Sequence, residues 1–242
     1  MLSLASLACL ATVAGAQDAD CLHCHGDLAK EKVVHAALQM GCKTCHTGID
    51  ASKYPHKLTG KIAKGLSAPE AELCTGCHEK EKFKKKVTHA AVTMGCTGCH
   101  VPHSSANAKL LTARLPTVCQ TCHDKKDFAG KSTHAPVEGG MCGACHDPHA
   151  SEHAALLTKP TAALCLECHD EVKKRPHVVA GFSRSGHPVG DEKRPAMVED
   201  PLRKGKAFSC TSCHEPHRSD TPRLTRLDPK SPTGFCQKCH PM

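Results

Sequence analysis

Residues 133–157 read THAPVEGGMCGACHDPHASEHAALL. At their centre stand two cysteines three apart with a histidine directly behind them: Cys142, Cys145 and His146. The same C-x-x-C-H pattern recurs at Cys21-Cys24-His25, Cys42-Cys45-His46, Cys74-Cys77-His78, Cys96-Cys99-His100, Cys119-Cys122-His123, Cys165-Cys168-His169, Cys210-Cys213-His214 and Cys236-Cys239-His240. The nine motifs take up 18 of the 19 cysteines, and the remaining Cys9 lies near the N-terminus. Two cysteines three apart on one turn can bond the two vinyl groups of a single haem. The next residue then delivers an imidazole to the iron from the same side. A zinc ribbon pairs two C-x-x-C knuckles and needs no histidine after each, and a redox-active cysteine pair needs none either. Nine such histidines in nine motifs therefore predict nine covalently attached c-type haems, each iron held on one side by its proximal histidine.

Eleven histidines lie outside that proximal set. His23, between Cys21 and Cys24, is tied too tightly to reach across a porphyrin and reads as structural. His153, in Ser-Glu-His-Ala-Ala just behind a Pro-His pair, reads as a surface residue. His35, His56, His89, His103, His134, His149, His177, His187 and His217 remain, nine candidates for the second axial position of nine irons. A lone histidine carries little information, so the reading rests on repeated placement. His35, His89 and His134 each precede a motif in closely similar strings (HAALQMGC, HAAVTMGC, HAPVEGGMC), and His187 in Gly-His-Pro-Val resembles them with an insertion behind it. His103, His149 and His217 each stand three residues after a proximal histidine in a Pro-His pair; His56 and His177 are further Pro-His residues. A residue so close behind the proximal ligand cannot easily wrap to the opposite haem face, so the Pro-His residues are expected to ligate neighbouring haems. Met40, Met94 and Met141, directly ahead of motifs, are expected to pack on porphyrin rather than bind iron. Bis-histidine ligation places the haems at the reducing end of the haem range.

Composition agrees with cofactors taking the place of a side-chain core. The 242 residues include no Trp, one Tyr and five Phe, and mean hydropathy is −0.36. A soluble chain of this length ordinarily fills its interior with aliphatic and aromatic side chains. The formal charge of +8 does not point to nucleic acid. Nine ferric haems with two propionates each would add about nine negative charges, leaving a nearly neutral holoprotein. Base-stacking aromatics are also lacking.

Residues 2–16 (LSLASLACLATVAGA) are uncharged and apolar and end in Ala14-Gly15-Ala16, the small-x-small pattern of a signal-peptidase site. Residues 1–16 are thus expected to be a removed signal peptide, with lipidation at Cys9 as the alternative, and 17–242 the mature chain. Covalent haem attachment and an oxidising compartment both belong outside the cytoplasm. The expected location is periplasmic or outer-membrane associated, or extracellular.

The recurring strings define a two-haem repeat: units at about 21–73, 74–118, 119–164 and 165–235, with a final single-haem unit at 236–242. The fourth unit carries an insertion over 178–207, rich in Gly, Pro and charge, read as a surface loop. The expected fold is mostly irregular with short α-helices and little or no sheet: a single multihaem cytochrome domain with a quasi-linear haem chain. Helical turns are expected at each motif, at Pro69–His78 and at Lys80–Lys86, whose run KEKFKKK reads as a solvated face.

The stretches 133–157 and 186–220 (GHPV…FSCTSCHEPHRSD) resemble doubled-CXXCH multihaem c-type cytochromes, including the MtrA/DmsE-type decahaem electron conduits; this chain has nine motifs. The resemblance covers essentially all of 21–240. It implies that each proximal histidine is one axial ligand and that the His-Ala/Pro and Pro-His residues are the others. It further implies a partner outer-membrane β-barrel porin and an outer-surface cytochrome, with electrons passing between them. The expected function is electron transfer rather than catalysis, in a conduit for extracellular electron transfer. The alternatives are a multihaem reductase of a small oxyanion such as nitrite, a soluble shuttle, and a subunit that self-assembles into an extracellular cytochrome filament.

Overall fold

The computed structural model describes residues 16–173, 199–227 and 236–240. They fall into two compact units: one drawn from residues 1–80 and 94–114, the other from 81–93 and 115–242. Regular structure is sparse in both. Among the described residues the helices are α1 (Ala16–His25), α2 (Cys42–Cys45), α3 (Glu70–Thr75), α4 (Ala90–Thr93), α5 (Ala135–Glu138), α6 (Cys142–Cys145), α7 (Thr161–Cys165) and α8 (Cys210–Cys213). Several single 3₁₀ turns accompany them. The strands have two residues each: β1 (Val33–Val34), β2 (Ile49–Asp50), β3 (Lys57–Leu58), β4 (Val87–Thr88), β5 (Ser104–Ser105), β6 (Ser132–Thr133), β7 (Ala150–Ser151) and β8 (Arg218–Ser219). No helix among the described residues is long and apolar enough to cross a membrane.

The first unit contains two antiparallel ladders. β1 pairs with β5, Val33 opposite Ser105 and Val34 opposite Ser104; β2 pairs with β3 in a local hairpin. In the second unit β4 pairs with β7 (Val87 opposite Ser151) and β6 with β8 (Ser132 opposite Ser219). Three of the four ladders therefore join the residues just before a His-Ala/Pro histidine to those just after a Pro-His pair far along the chain. They stay short because Pro102, Pro148 and Pro216 offer no N–H to extend them. At that same end the paired strand turns at once into the helical turn behind His35, His89 or His134.

Few apolar side chains are buried. Among the described residues only Val118, Ala150 and Leu166 fall in that class, alongside the polar Ser104, Ser105, Ser151, Asp200, Ser212 and Ser219. Met40, Met94 and Met141 are more than half exposed to the protein-only surface, Met94 at 79 %. The expectation of short helices and little sheet holds. Two local expectations differ. Lys80–Lys86 is not a helix: only Lys80–Lys82 makes a 3₁₀ turn, because the following lysines lead straight into β4. Within Pro69–His78 the α-helix spans Glu70–Thr75. Most of the inserted segment, 178–198, lies outside the described residues. Its end, Glu199 to Ala207, is a closed turn with a bridge between those two residues.

That turn is latched to the attachment motif that follows. Asp200 is buried and accepts from Arg203 Nε at 2.5 Å and from the Leu202 N–H at 2.9 Å. Arg203 also donates to Thr211 and Ser212, inside the Cys210–Cys213 motif. Burial by itself pushes the Asp200 carboxyl up. The hydrogen bonds from Arg203, Ser212 and Leu202 outweigh it and hold the carboxyl below the usual carboxylate range. A depressed folded-state pKa stabilises fully above the unfolded value near 4, and that contribution fades as pH falls through the folded value. Asp200→Asn is expected to lower stability at pH 7 by about 1–2 kcal/mol. The gap to wild type should close as the pH drops below about 4. Guanidinium unfolding at pH 7 and pH 3 measures both, and a gap that stays constant with pH would remove the charge from this account.

Candidate haem-binding sites

Each attachment motif is one closed turn. The His N–H donates to the carbonyl of the first cysteine: His46 to Cys42, His78 to Cys74, His100 to Cys96, His123 to Cys119, His146 to Cys142 and His214 to Cys210 at 3.0 Å, His169 to Cys165 at 3.1 Å and His240 to Cys236 at 2.8 Å. The first motif lies at the end of α1. Gly41 and Gly95, at φ 93° and 106°, turn the chain into the second motifs of the first two repeats, a conformation that costs a glycine little. The turns of one repeat are neighbours. Glu70, at the start of α3, accepts from the Thr97 N–H (2.9 Å) and hydroxyl (2.8 Å) inside the next motif. These bonds hold its carboxyl below the usual range. The Cys74 and Cys96 thiols are in hydrogen-bonding reach, as are those of Cys165 and Cys210. Two macrocycles attached there start side by side.

The histidines meet in pairs, four of them with nearly parallel ring planes. Ring centres of His35 and His78, His46 and His103, His89 and His123, and His134 and His169 are each 6.1 Å apart, with interplanar angles of 10°, 25°, 17° and 22°. His25 and His56 are 5.9 Å apart, and His146 and His217 5.8 Å, both tilted by about 45°. Directly stacked rings would sit far closer. Two imidazoles on opposite sides of one metal, each at a metal–nitrogen distance of about 2.0 Å, have centres roughly 6 Å apart. The residues present therefore fit six-coordinate haem iron.

In each of these pairs one ring donates from Nδ1 to a backbone carbonyl, which can only accept; this leaves the Nε2 lone pair for a metal. His35, His89 and His134 donate to Pro102 (2.8 Å), Pro148 (2.8 Å) and Pro216 (3.0 Å). Their own N–H groups bond the next carbonyl along, at His103, His149 and His217. His56 donates to Lys53 at 2.9 Å. His46, His100, His146 and His214 donate to Lys64, Lys109, Ala155 and Arg223 at 2.8–3.0 Å. Those four acceptors all have left-handed backbone, φ 55–59°, and Leu110, Leu156 and Leu224 directly behind three of them do as well. Left-handed backbone costs a non-glycine residue about 1–2 kcal/mol. In the first repeat the second left-handed residue is Gly65, where an added Cβ would come within 2.3 Å of Ile49 Cγ1.

A buried serine closes three of the four strained turns. Ser105 donates to Leu111 O (2.6 Å), Ser219 to Thr225 O (2.7 Å) and Ser151 to Leu157 O. Each Oγ also accepts from the backbone N–H two residues on, that of Asn107, His153 or Thr221. His153 thus holds the turn position that Asn107 and Thr221 hold elsewhere, as expected for a non-ligand. His23 is exposed. Burial, with the neighbouring imidazoles, lowers the pKa of His103 and His217. Phe128 packs between two sites, 6.4 Å from His123 and 5.4 Å from His217. Phe83 lies against His149 at 5.1 Å. His177 and His187 lie outside the described residues. The serines, the left-handed turns and the two phenylalanines were not among the sequence candidates, although the recurring P-H-x-S string marks the serines once repeats are superposed.

Such paired attachment turns and facing imidazoles define a multihaem c-type cytochrome. The chain belongs to the doubled CXXCH motif family, which it matches at residues 35–83, 89–128, 134–174 and 200–242. Three of those matches begin at the histidine ahead of a second motif: His35, His89 and His134. Among curated proteins the chain is similar to the multiheme cytochrome MtrA of Shewanella baltica (strain OS185), 30 % identical over 96 residues. That alignment takes in 37 % of this chain and 26 % of the relative, so the chain spans about a quarter of that protein's length.

Proposed function

We propose that the chain carries electrons along nine closely spaced haems, one on each C-x-x-C-H motif, every iron held by two histidines. The observation that carries this is the set of six imidazole pairs 5.8–6.1 Å apart, each joining a proximal histidine to one of the candidates His35, His56, His89, His103, His134 and His217. His149, His177 and His187 complete the nine. Bound haem supplies one reversible iron-centred electron per site; the chain's part is to hold each iron saturated, neutralise propionates with its lysines and arginines, and keep neighbouring sites close. Saturated irons leave no position for substrate, which favours a wire over a reductase. The apolar run at 2–16 and the similarity to MtrA support export. They also support a role in an outer-membrane conduit for extracellular electron transfer, between a β-barrel porin and an outer-surface cytochrome.

Low-temperature EPR with near-infrared magnetic circular dichroism on the oxidised holoprotein tests the ligation. Nine low-spin bis-histidine haems are expected. A stoichiometric high-spin haem that shifts on adding nitrite would replace the wire with a reductase.

A further inference from the structure

We propose that Ser105, Ser151 and Ser219 are positioning residues that set the reduction potential of the haem on the second motif of their repeat, acting through the proximal histidines His100, His146 and His214. This rests on the bis-histidine reading above. The clearest case lies wholly in the second unit. Ser151 is 4 % exposed in β7. It spans the turn by accepting from the His153 N–H at 2.9 Å and donating to Leu157 O. Between those anchors Ala155 and Leu156 are forced to φ 55° and 57°. That conformation aims the Ala155 carbonyl at His146 Nδ1, 2.8 Å away. His146 faces His217 across the site.

A carbonyl accepting from Nδ1–H raises electron density at Nε2 and makes the imidazole a stronger donor to ferric iron, which lowers the potential. The carbonyl stays on target only while the turn is left-handed, and neither alanine nor leucine adopts that conformation without outside restraint. Without the hydroxyl the turn can relax to negative φ. The peptide plane then rotates, and the carbonyl leaves the ring. Ser219 repeats the arrangement through Thr225, Arg223 (φ 57°) and His214. Ser105 repeats it through Leu111, Lys109 (φ 57°) and His100. The first repeat is a built-in control: Gly65 takes the second left-handed position, and the Lys64 carbonyl still meets His46 at 2.9 Å.

The same strands serve other sites. Pro148, two residues before β7, accepts from His89 Nδ1, so each Pro-His-x-Ser segment orients one histidine through its proline carbonyl and a second through its serine. The two effects separate cleanly, because the serine acts only on the turn behind it.

The test is spectropotentiometry and EPR of the full-length holoprotein carrying Ser105→Ala, Ser151→Ala or Ser219→Ala, with haem content measured alongside. With haem content unchanged, each variant should move one Nernst component to higher potential and alter one low-spin EPR signal. The component should differ between variants, and Ser151→Thr should restore the wild-type value. Unmoved potentials in all three variants overturn the proposal, as does a uniform shift of every component or loss of haem in all three. High-spin signals already present in the wild type would instead overturn the bis-histidine reading.

Discussion

Made in a compartment without haem-attachment machinery, the chain is expected to show no cooperative thermal transition and to stay largely unfolded. Ordering a backbone costs about 1–2 kcal/mol per residue, and hydrophobic burial is the dominant opposing term. Among the described residues that burial amounts to Val118, Ala150 and Leu166. The ladders are two residues long, and most helices are single turns, far below the length at which a helix holds by itself. Met40, Met94 and Met141 lie open in the protein-only surface. The macrocycles, fixed by thioethers, are therefore expected to supply the core. Differential scanning calorimetry of haem-free and haem-bearing chain decides the matter. A haem-free transition of similar midpoint and enthalpy would show that the polypeptide folds without its cofactors.

Replacing His217 should produce the largest change confined to one site. Its ring lies 5.8 Å from that of His146, and burial with the nearby imidazoles lowers its pKa. His217→Ala is expected to leave one five-coordinate, high-spin haem among otherwise low-spin ones. His217→Met is expected to keep that haem low-spin with histidine and thioether ligands and to raise its potential by tenths of a volt, on the order of the axial-ligand effect. The high-spin haem of the alanine variant should bind cyanide or nitric oxide, which the wild type should resist. If neither variant changes spin state or potential, His217 is not an axial ligand.

Much of the site was legible in the chain because covalent chemistry leaves a rigid local signature. C-x-x-C-H must close one turn, so its spacing repeats to the residue in all nine motifs, and eight of them close that turn with the same His-to-Cys hydrogen bond. Repeated placement singled out His35, His89 and His134, each ahead of a motif in closely similar strings, while His23 and His153 were set aside for their immediate neighbours. The helical turn expected over Lys80–Lys86 stops at Lys82, because charge and helix propensity are weak priors beside a tertiary strand pairing that begins at Val87.

The sequence by itself determined the cofactor, its attachment points and the stock of histidines, because thioether formation and iron ligation demand particular residues at fixed local spacing. Only the tertiary structure decided which histidine faces which. It sets His35 against His78 and His134 against His169 through ladders too short to leave any periodicity in the sequence. It also decided where the left-handed turns fall: Lys109, Ala155, Arg223 and the leucines behind them carry no mark of positive φ, and a buried serine and a histidine ring hold these three turns from both sides.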